Sequence, residues 1–248
     1  MSKKKAGLET TNNSIVNFYE HKKMKQFLKE YENPHFENHR ISIPFRMGII
    51  ASSGGGKTQC LLNMLSRMND TFGHIYVVYK APEPLYEFLQ KQIGEDKITF
   101  YTQLSKFPPL AELPKDKQLL VIFDDCVTYA EKDQGVIKEL YVRGRKIGRG
   151  ISMAYLSQSF YKIPRLIRLQ FNYLIILKLG SKRDLSMILN DCGLGIEKEE
   201  LLQIYKDATK QPFNFLKIDV DASDPNKKFS HNFNDFYTIE SDSDEDDV

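Results

Sequence analysis

An α/β fold with a mostly parallel sheet, covered by helices on both faces, follows from three features of this sequence. Short, nearly continuous apolar runs alternate with amphipathic stretches of helical period. A glycine-rich loop, ASSGGGKT (Ala51–Thr58), links one such run to the helical stretch after it. Another run, LLVIFDD (119–125), ends in two acids.

The elements follow in order. Residues 1–13 read as a loose basic leader. From Ile15 to Tyr31 apolar residues recur at helical spacing, until NPH at 33–35 breaks the pattern. FRMGII (45–50) is a buried strand, and TQCLLNMLSRM (58–68) a helix with Leu61, Leu62, Leu65 and Met68 inward. HIYVVYK (74–80) is a strand, PLYEFLQKQI (84–93) a helix, KITFYT (97–102) a strand, and LLVIFDD a fully apolar strand with an acidic end. QGVIKELYVRGRKIG (134–148) is helical despite Gly144, and ISMAYLSQ (151–158) and NYLIILKL (172–179) are strands. Helices near 182–191 and 197–207 precede FNFLKIDV (213–220), the expected last strand. The expected organisation is a leader and helix over 1–40, a body over 41–222, and an extension over 223–248 ending in a disordered acidic tail.

A chain of 248 residues, 41% hydrophobic, is long and apolar enough for one large domain with a real core. Its net charge of +2 is unevenly spread: ESDSDEDDV at the end holds six acids, and without them the remainder stands at +8. Cys60, Cys126 and Cys192 lie far apart, which fits neither a zinc site nor a disulfide framework and points to a reducing, intracellular compartment. The polar start shows no signal-peptide core, and the run near YLIILKL is too short to span a bilayer, so no membrane segment is expected.

The loop meets the pattern [AG]xxxxGK[ST] at Ala51, Gly56, Lys57 and Thr58. Glycines allow successive backbone N–H groups to converge on an anion, and the following helix points its positive end at the same spot. The stretch Ala51, Ser52, Ser53, Gly54, Gly55, Gly56, Lys57 and Thr58 is therefore read as a cradle for ATP. Lys57 would reach the β- and γ-phosphates, and the Thr58 hydroxyl would hold Mg²⁺. A chance glycine turn is the alternative. The strand before the loop and the unbroken helix after it argue against that.

Hydrolysis needs a carboxylate on an adjacent strand end. Asp124 is assigned to Mg²⁺, through a water, and Asp125 to orienting or deprotonating the attacking water. An Asp pair capping the next helix is the bland alternative. Gln158 ends another apolar strand and is placed to meet the γ-phosphate or the water. Between Lys138 and Arg183 there are eleven Lys or Arg and one acid, Glu139. Such runs are usually solvated faces. This density also suits contact with nucleic-acid phosphates, or an arginine reaching a neighbouring subunit's ATP, with Arg149 and Arg168 as candidates.

Taken in order and spacing, IIASSGGGKT, LLVIFDD, GRGISMAYLSQSFYKIPRLIR and FNFLKIDV resemble the poxvirus-type genome-packaging ATPases of the FtsK–HerA superfamily, found in large DNA viruses and virophages. The resemblance spans about 45–220 and is most specific from Gly148 to Arg168. It implies a RecA-like P-loop NTPase that assembles as a homo-oligomeric ring and pumps double-stranded DNA into a preformed capsid. A capsid protein is then a further partner, and the host cytoplasm, viral factory or virion the location. It also implies phosphate and metal contacts at Gly56, Lys57 and Thr58, metal at Asp124, catalysis at Asp125 and a sensor at Gln158. This chain departs from the family in carrying Gly150 where His often follows Gly-Arg, and Ala51 at the first loop position.

Two other readings stay open. A P-loop nucleoside or nucleotide kinase would recast the arginines as a lid, though the double Asp followed by a Gln-ended strand suits a hydrolase better. A nucleotide-binding structural protein with little turnover would not need Lys57, Thr58, Asp124 and Asp125 together.

Overall fold

The computed structural model describes residues 17–20, 22–131, 133–192 and 195–239. The leader at 1–13 and the acidic tail at 240–248 lie outside the described residues. The described residues divide into two compact units, one up to Glu30 and one from Tyr31 onward. In the first unit the expected amphipathic helix is instead two 3₁₀ segments, Phe18–Glu20 and Lys22–Phe27. Neither buries a residue, and a helix this short draws most of its stability from a buried face.

In the second unit one sheet of nine strands organises the chain: β1 (Arg46–Ile50), β2 (His74–Val78), β3 (Ile98–Tyr101), β4 (Leu119–Asp124), β5 (Ile151–Ser157), β6 (Tyr173–Ile176), β7 (Leu216–Asp219), β8 (Phe229–His231) and β9 (Asp235–Phe236). Their order is β3-β2-β4-β5-β1-β6-β7-β8-β9. Strands from β3 to β6 pair in parallel, whereas β7, β8 and β9 join antiparallel. The expectation that 213–220 closes the fold is thus corrected. The sheet continues through 229–236, because the loop after β7, with a 3₁₀ turn at Pro225–Lys227, returns the chain antiparallel along the β7 edge.

The parallel strands read as continuous apolar runs because each sends alternate residues into two separate cores. In β4, Leu119, Val121 and Phe123 enter one core while Leu120 and Ile122 enter the other. The second core is closed by α2 (Lys57–Arg67) and α3 (Pro84–Ile93), which follow α1 (Phe36–His39) in the chain. The first is closed by α4 (Gln134–Arg143), α5 (Arg165–Arg168), α6 (Lys182–Cys192) and α7 (Lys198–Ala208). The helix expected over 134–148 stops at Arg143 and tightens into a 3₁₀ turn over Gly144–Lys146, where glycine weakens the helix. On β1, Gly48 lets Phe171 approach so closely that a Cβ would meet its ring at 2.7 Å.

Two crossovers set the site. β1 does not lie beside β4, as a carboxylate on an adjacent strand would require. β5 lies between them, pairing with β1 on one side and β4 on the other. The carboxyl ends of β1, β5 and β4 therefore stand side by side, in the RecA-like arrangement expected above. Loops outside the carboxyl ends of parallel strands are where α/β folds bind ligands.

Candidate active site

The loop leaving β1 turns back on itself through two glycines in the left-handed region, Gly54 at φ 67 and Gly56 at φ 91. Gly55 N–H donates to the Ser52 carbonyl at 2.9 Å, closing the turn. Ser52 Oγ accepts from Gly180 N–H at 2.7 Å, which fastens the loop to the chain beyond β6. At Gly56 a side chain would also strike Phe213, whose ring would stand 2.6 Å from its Cβ. α2 then starts at Lys57, so its first N–H groups face the loop's concavity.

A cavity of about 660 Å³ opens there, lined by the loop, Lys57, Thr58, Asp124, Asp125 and Gln158, with Glu83 and Phe213 in addition. The structure thus gathers the loop, metal and water-directing candidates from three separate stretches of sequence. Lys57 is 9% exposed, its Nζ 3.9 Å from Asp125 Oδ2. Gln158 Nε2 donates to the same Asp125 oxygen at 2.9 Å, across the gap between β5 and β4. Asp125 itself adopts φ 49, and its N–H donates to the Leu156 carbonyl at 3.0 Å, so the residue after β4 is bent toward β5. Asp124 is more deeply placed. Burial raises its pKa to about 6, against the pull of a hydrogen bond from Tyr86 and the charge of Lys57.

Residues the sequence reading passed over complete the pocket. Glu83 Oε2 accepts from Thr58 Oγ1 at 2.7 Å, and Tyr86 Oη donates to Asp124 Oδ2 at 2.8 Å. Asp184, buried in the first turn of α6, accepts from Ser159 Oγ at 3.0 Å and Tyr161 N–H at 2.8 Å. It anchors the loop that carries Gln158. Phe213 presents a 61% exposed ring from a backbone at φ 65, a conformation bulky residues rarely adopt. No sequence period marks any of these. The one cue was composition: a Glu-Pro pair opening a helix, and an aromatic beside a turn.

The two arginines do not join the pocket. Arg149 precedes β5, whose seven residues place it about 20 Å from the Gln158 end, and its Nη2 meets Glu32 Oε1 at 3.0 Å. Beside it, Gly150 has φ 85 with Tyr31 and Pro44 about it, leaving no easy room for a histidine. Arg168 is only 13% exposed on its side chain. Its Nε donates to the Ile163 carbonyl at 3.1 Å, Asp191 stands at 3.4 Å, and the guanidinium lies 5.0 Å over the Phe160 ring. Arg168 Nε and Nη1 are thus engaged within its own chain.

Among the described residues no cluster of three or more His, Cys, Asp or Glu could hold a metal by itself. Mg²⁺ typically takes one or two protein oxygens and otherwise phosphates and water, and the hard oxygens of Thr58 and Asp124 fit that pattern. No helix among the described residues is long and apolar enough to cross a membrane.

The sequence model of the family described as Poxvirus A32 protein matches residues 33–244. No curated protein matches the chain. Among solved structures, the DNA-packaging ATPase B204 of Sulfolobus Turreted Icosahedral Virus matches with a TM-score of 0.53 and 14% identity, over 77% of this chain and 98% of that one. The pCW3 conjugation coupling protein TcpA, bound to ATPγS, matches with a TM-score of 0.51 and 14% identity, over 79% of this chain and 62% of that one. ATPases 2 and 3 of EssC from Geobacillus thermodenitrificans give 0.50 and 12%, over 79% and 40%. At such identities the likeness is one of fold.

Proposed function

Because the chain belongs to the Poxvirus A32 protein family, we propose that it is an ATP-hydrolysing motor that moves double-stranded DNA into a viral capsid. The observation that carries this reading is the meeting of Lys57, Thr58, Asp124, Asp125 and Gln158 around one cavity, at the ends of three neighbouring strands. The turns at Gly54 and Gly56 cradle the phosphates, and Lys57 neutralises the β- and γ-oxygens. Thr58 and Asp124 would hold Mg²⁺, which would offset the negative charge on the transferring phosphoryl group. Asp125, steadied by Gln158, orients the attacking water and accepts its proton. Phe213 offers a face on which the adenine base stacks.

The double Asp and the Gln-ended strand, joined by the Gln158–Asp125 hydrogen bond, suit a hydrolase better than a kinase. The body at 41–222 is the motor domain, preceded by 1–40 and followed by 223–248, whose β8 and β9 prolong the same sheet. Identical subunits form a ring in which an arginine acts in trans, Arg149 being the exposed candidate. The basic stretch from Lys138 to Arg183 meets DNA through phosphates, without sequence preference. A capsid protein is the further partner, at the viral factory or in the virion. In support, B204, a DNA-packaging ATPase, shares the fold over nearly its whole length.

The test is ATP turnover per subunit against protein concentration, with and without double-stranded DNA. The expected result is turnover that rises with both. Turnover indifferent to both overturns the ring motor and returns the kinase reading, and no turnover in any condition favours the structural one.

A further inference from the structure

A threonine hydroxyl has one proton and two lone pairs. To hold a cation Thr58 must offer a lone pair, so its proton needs an acceptor elsewhere. Here that acceptor is Glu83, whose Oε2 accepts a hydrogen bond from Thr58 Oγ1 at 2.7 Å. Three residues on, Tyr86 Oη donates to Asp124 Oδ2 at 2.8 Å and fixes the rotation of that carboxylate. Both partners come from one place, the start of α3. Glu83 is its N-cap, Pro84 opens the helix, and Tyr86 lies in the first turn, 3% exposed.

Glu83 is not simply a capping residue. Its side chain makes no cap hydrogen bond to its own helix. It turns instead into the cavity, toward α2. Leu89, on the same helix as Tyr86, is buried in the core beneath α2 and anchors the arrangement.

We propose that Glu83 and Tyr86 are positioning residues that set Thr58 and Asp124 for the metal–nucleotide complex, so that the start of α3 governs metal affinity. This rests on reading the site as a Mg²⁺-dependent ATPase. Such supporting groups are worth about 10–100-fold in metal affinity.

The experiment uses the full chain and Mn²⁺ as a paramagnetic probe, titrated in the presence of a non-hydrolysable ATP analogue. Binding of a fluorescent ATP analogue in EDTA is measured in parallel. Glu83→Ala is expected to weaken Mn²⁺ binding about 10–100-fold while metal-free nucleotide binding stays within about two-fold. Glu83→Gln, which keeps an acceptor oxygen, restores most of the affinity. Tyr86→Phe moves it in the same direction as Glu83→Ala. Mn²⁺ affinity within about two-fold of wild type in Glu83→Ala overturns the proposal, and so does a parallel loss of metal-free nucleotide binding, which marks a merely structural role. A wild-type protein that holds the analogue equally well with Mn²⁺ or EDTA refutes the underlying metal-dependent reading instead, whatever the variants do.

Discussion

Replacing Lys57 by alanine separates what this side chain does for the fold from what it does for the reaction. Lys57 is 9% exposed and its ammonium stands 3.9 Å from the Asp125 carboxylate. Two unit charges at that separation attract by about 4 kcal/mol at an effective dielectric of 20. Asp125, however, is 36% exposed, and solvent screening brings the pair down to about 1 kcal/mol or less. Lys57→Ala should therefore lower Tm by only about 2–4 °C for a domain of this size. With nucleotide bound, water would be excluded from the loop and the screening would be weaker. Losing the charge that meets the transferring phosphoryl group should lower kcat/KM for ATP at least about 10³-fold, or about 4 kcal/mol of barrier. The assay is steady-state phosphate release at fixed protein concentration, with thermal unfolding on the same samples. Turnover within ten-fold of wild type in a folded Lys57→Ala protein would refute the phosphate-loop assignment. A Tm loss several times larger would show that screening was overestimated and that Lys57 is chiefly structural.

Two further outcomes follow from the same reasoning. Arg168→Ala should destabilise by about 1–3 kcal/mol in denaturant unfolding, since it strips donors from a largely buried network, while turnover per folded molecule stays within about three-fold. If that variant instead folds like wild type, loses turnover and regains it when mixed with Lys57→Ala subunits, the trans role returns. Lys217 is 1% exposed, donating to the carbonyls of His39, Arg40 and Phe233, and burial pulls its pKa down to about 8. Its folded pKa lies below the unfolded value of 10.5, so the unfolded chain binds more protons between those limits and stability rises with pH there. Relative to Lys217→Met, wild type should gain up to about 1.4 kcal/mol per pH unit from pH 8 to 10.5; a flat difference in denaturant unfolding refutes the assignment.

What the sequence determined by itself was local. Apolar runs long enough to be buried on both faces dictate β1, β4 and β5, and the 84–93 helix is read to its last residue because its period and its opening proline are both local signals. The loop from Ala51 to Thr58 is legible for the same reason, since glycine freedom and a following helix suffice to build it. Tertiary structure decided which ends meet. The crossover that inserts β5 between β1 and β4 has no signature in any single stretch, yet it brings Gln158 to Asp125. Burial separated the paired acids, driving Asp124 inward while Asp125 stayed at the rim. The same packing closed Arg168 into its own chain and turned Glu83 from a helix cap into the acceptor for Thr58. Charge and spacing can nominate a side chain, but its hydrogen-bond partners are set by elements distant in sequence, and those exist only once the sheet has formed.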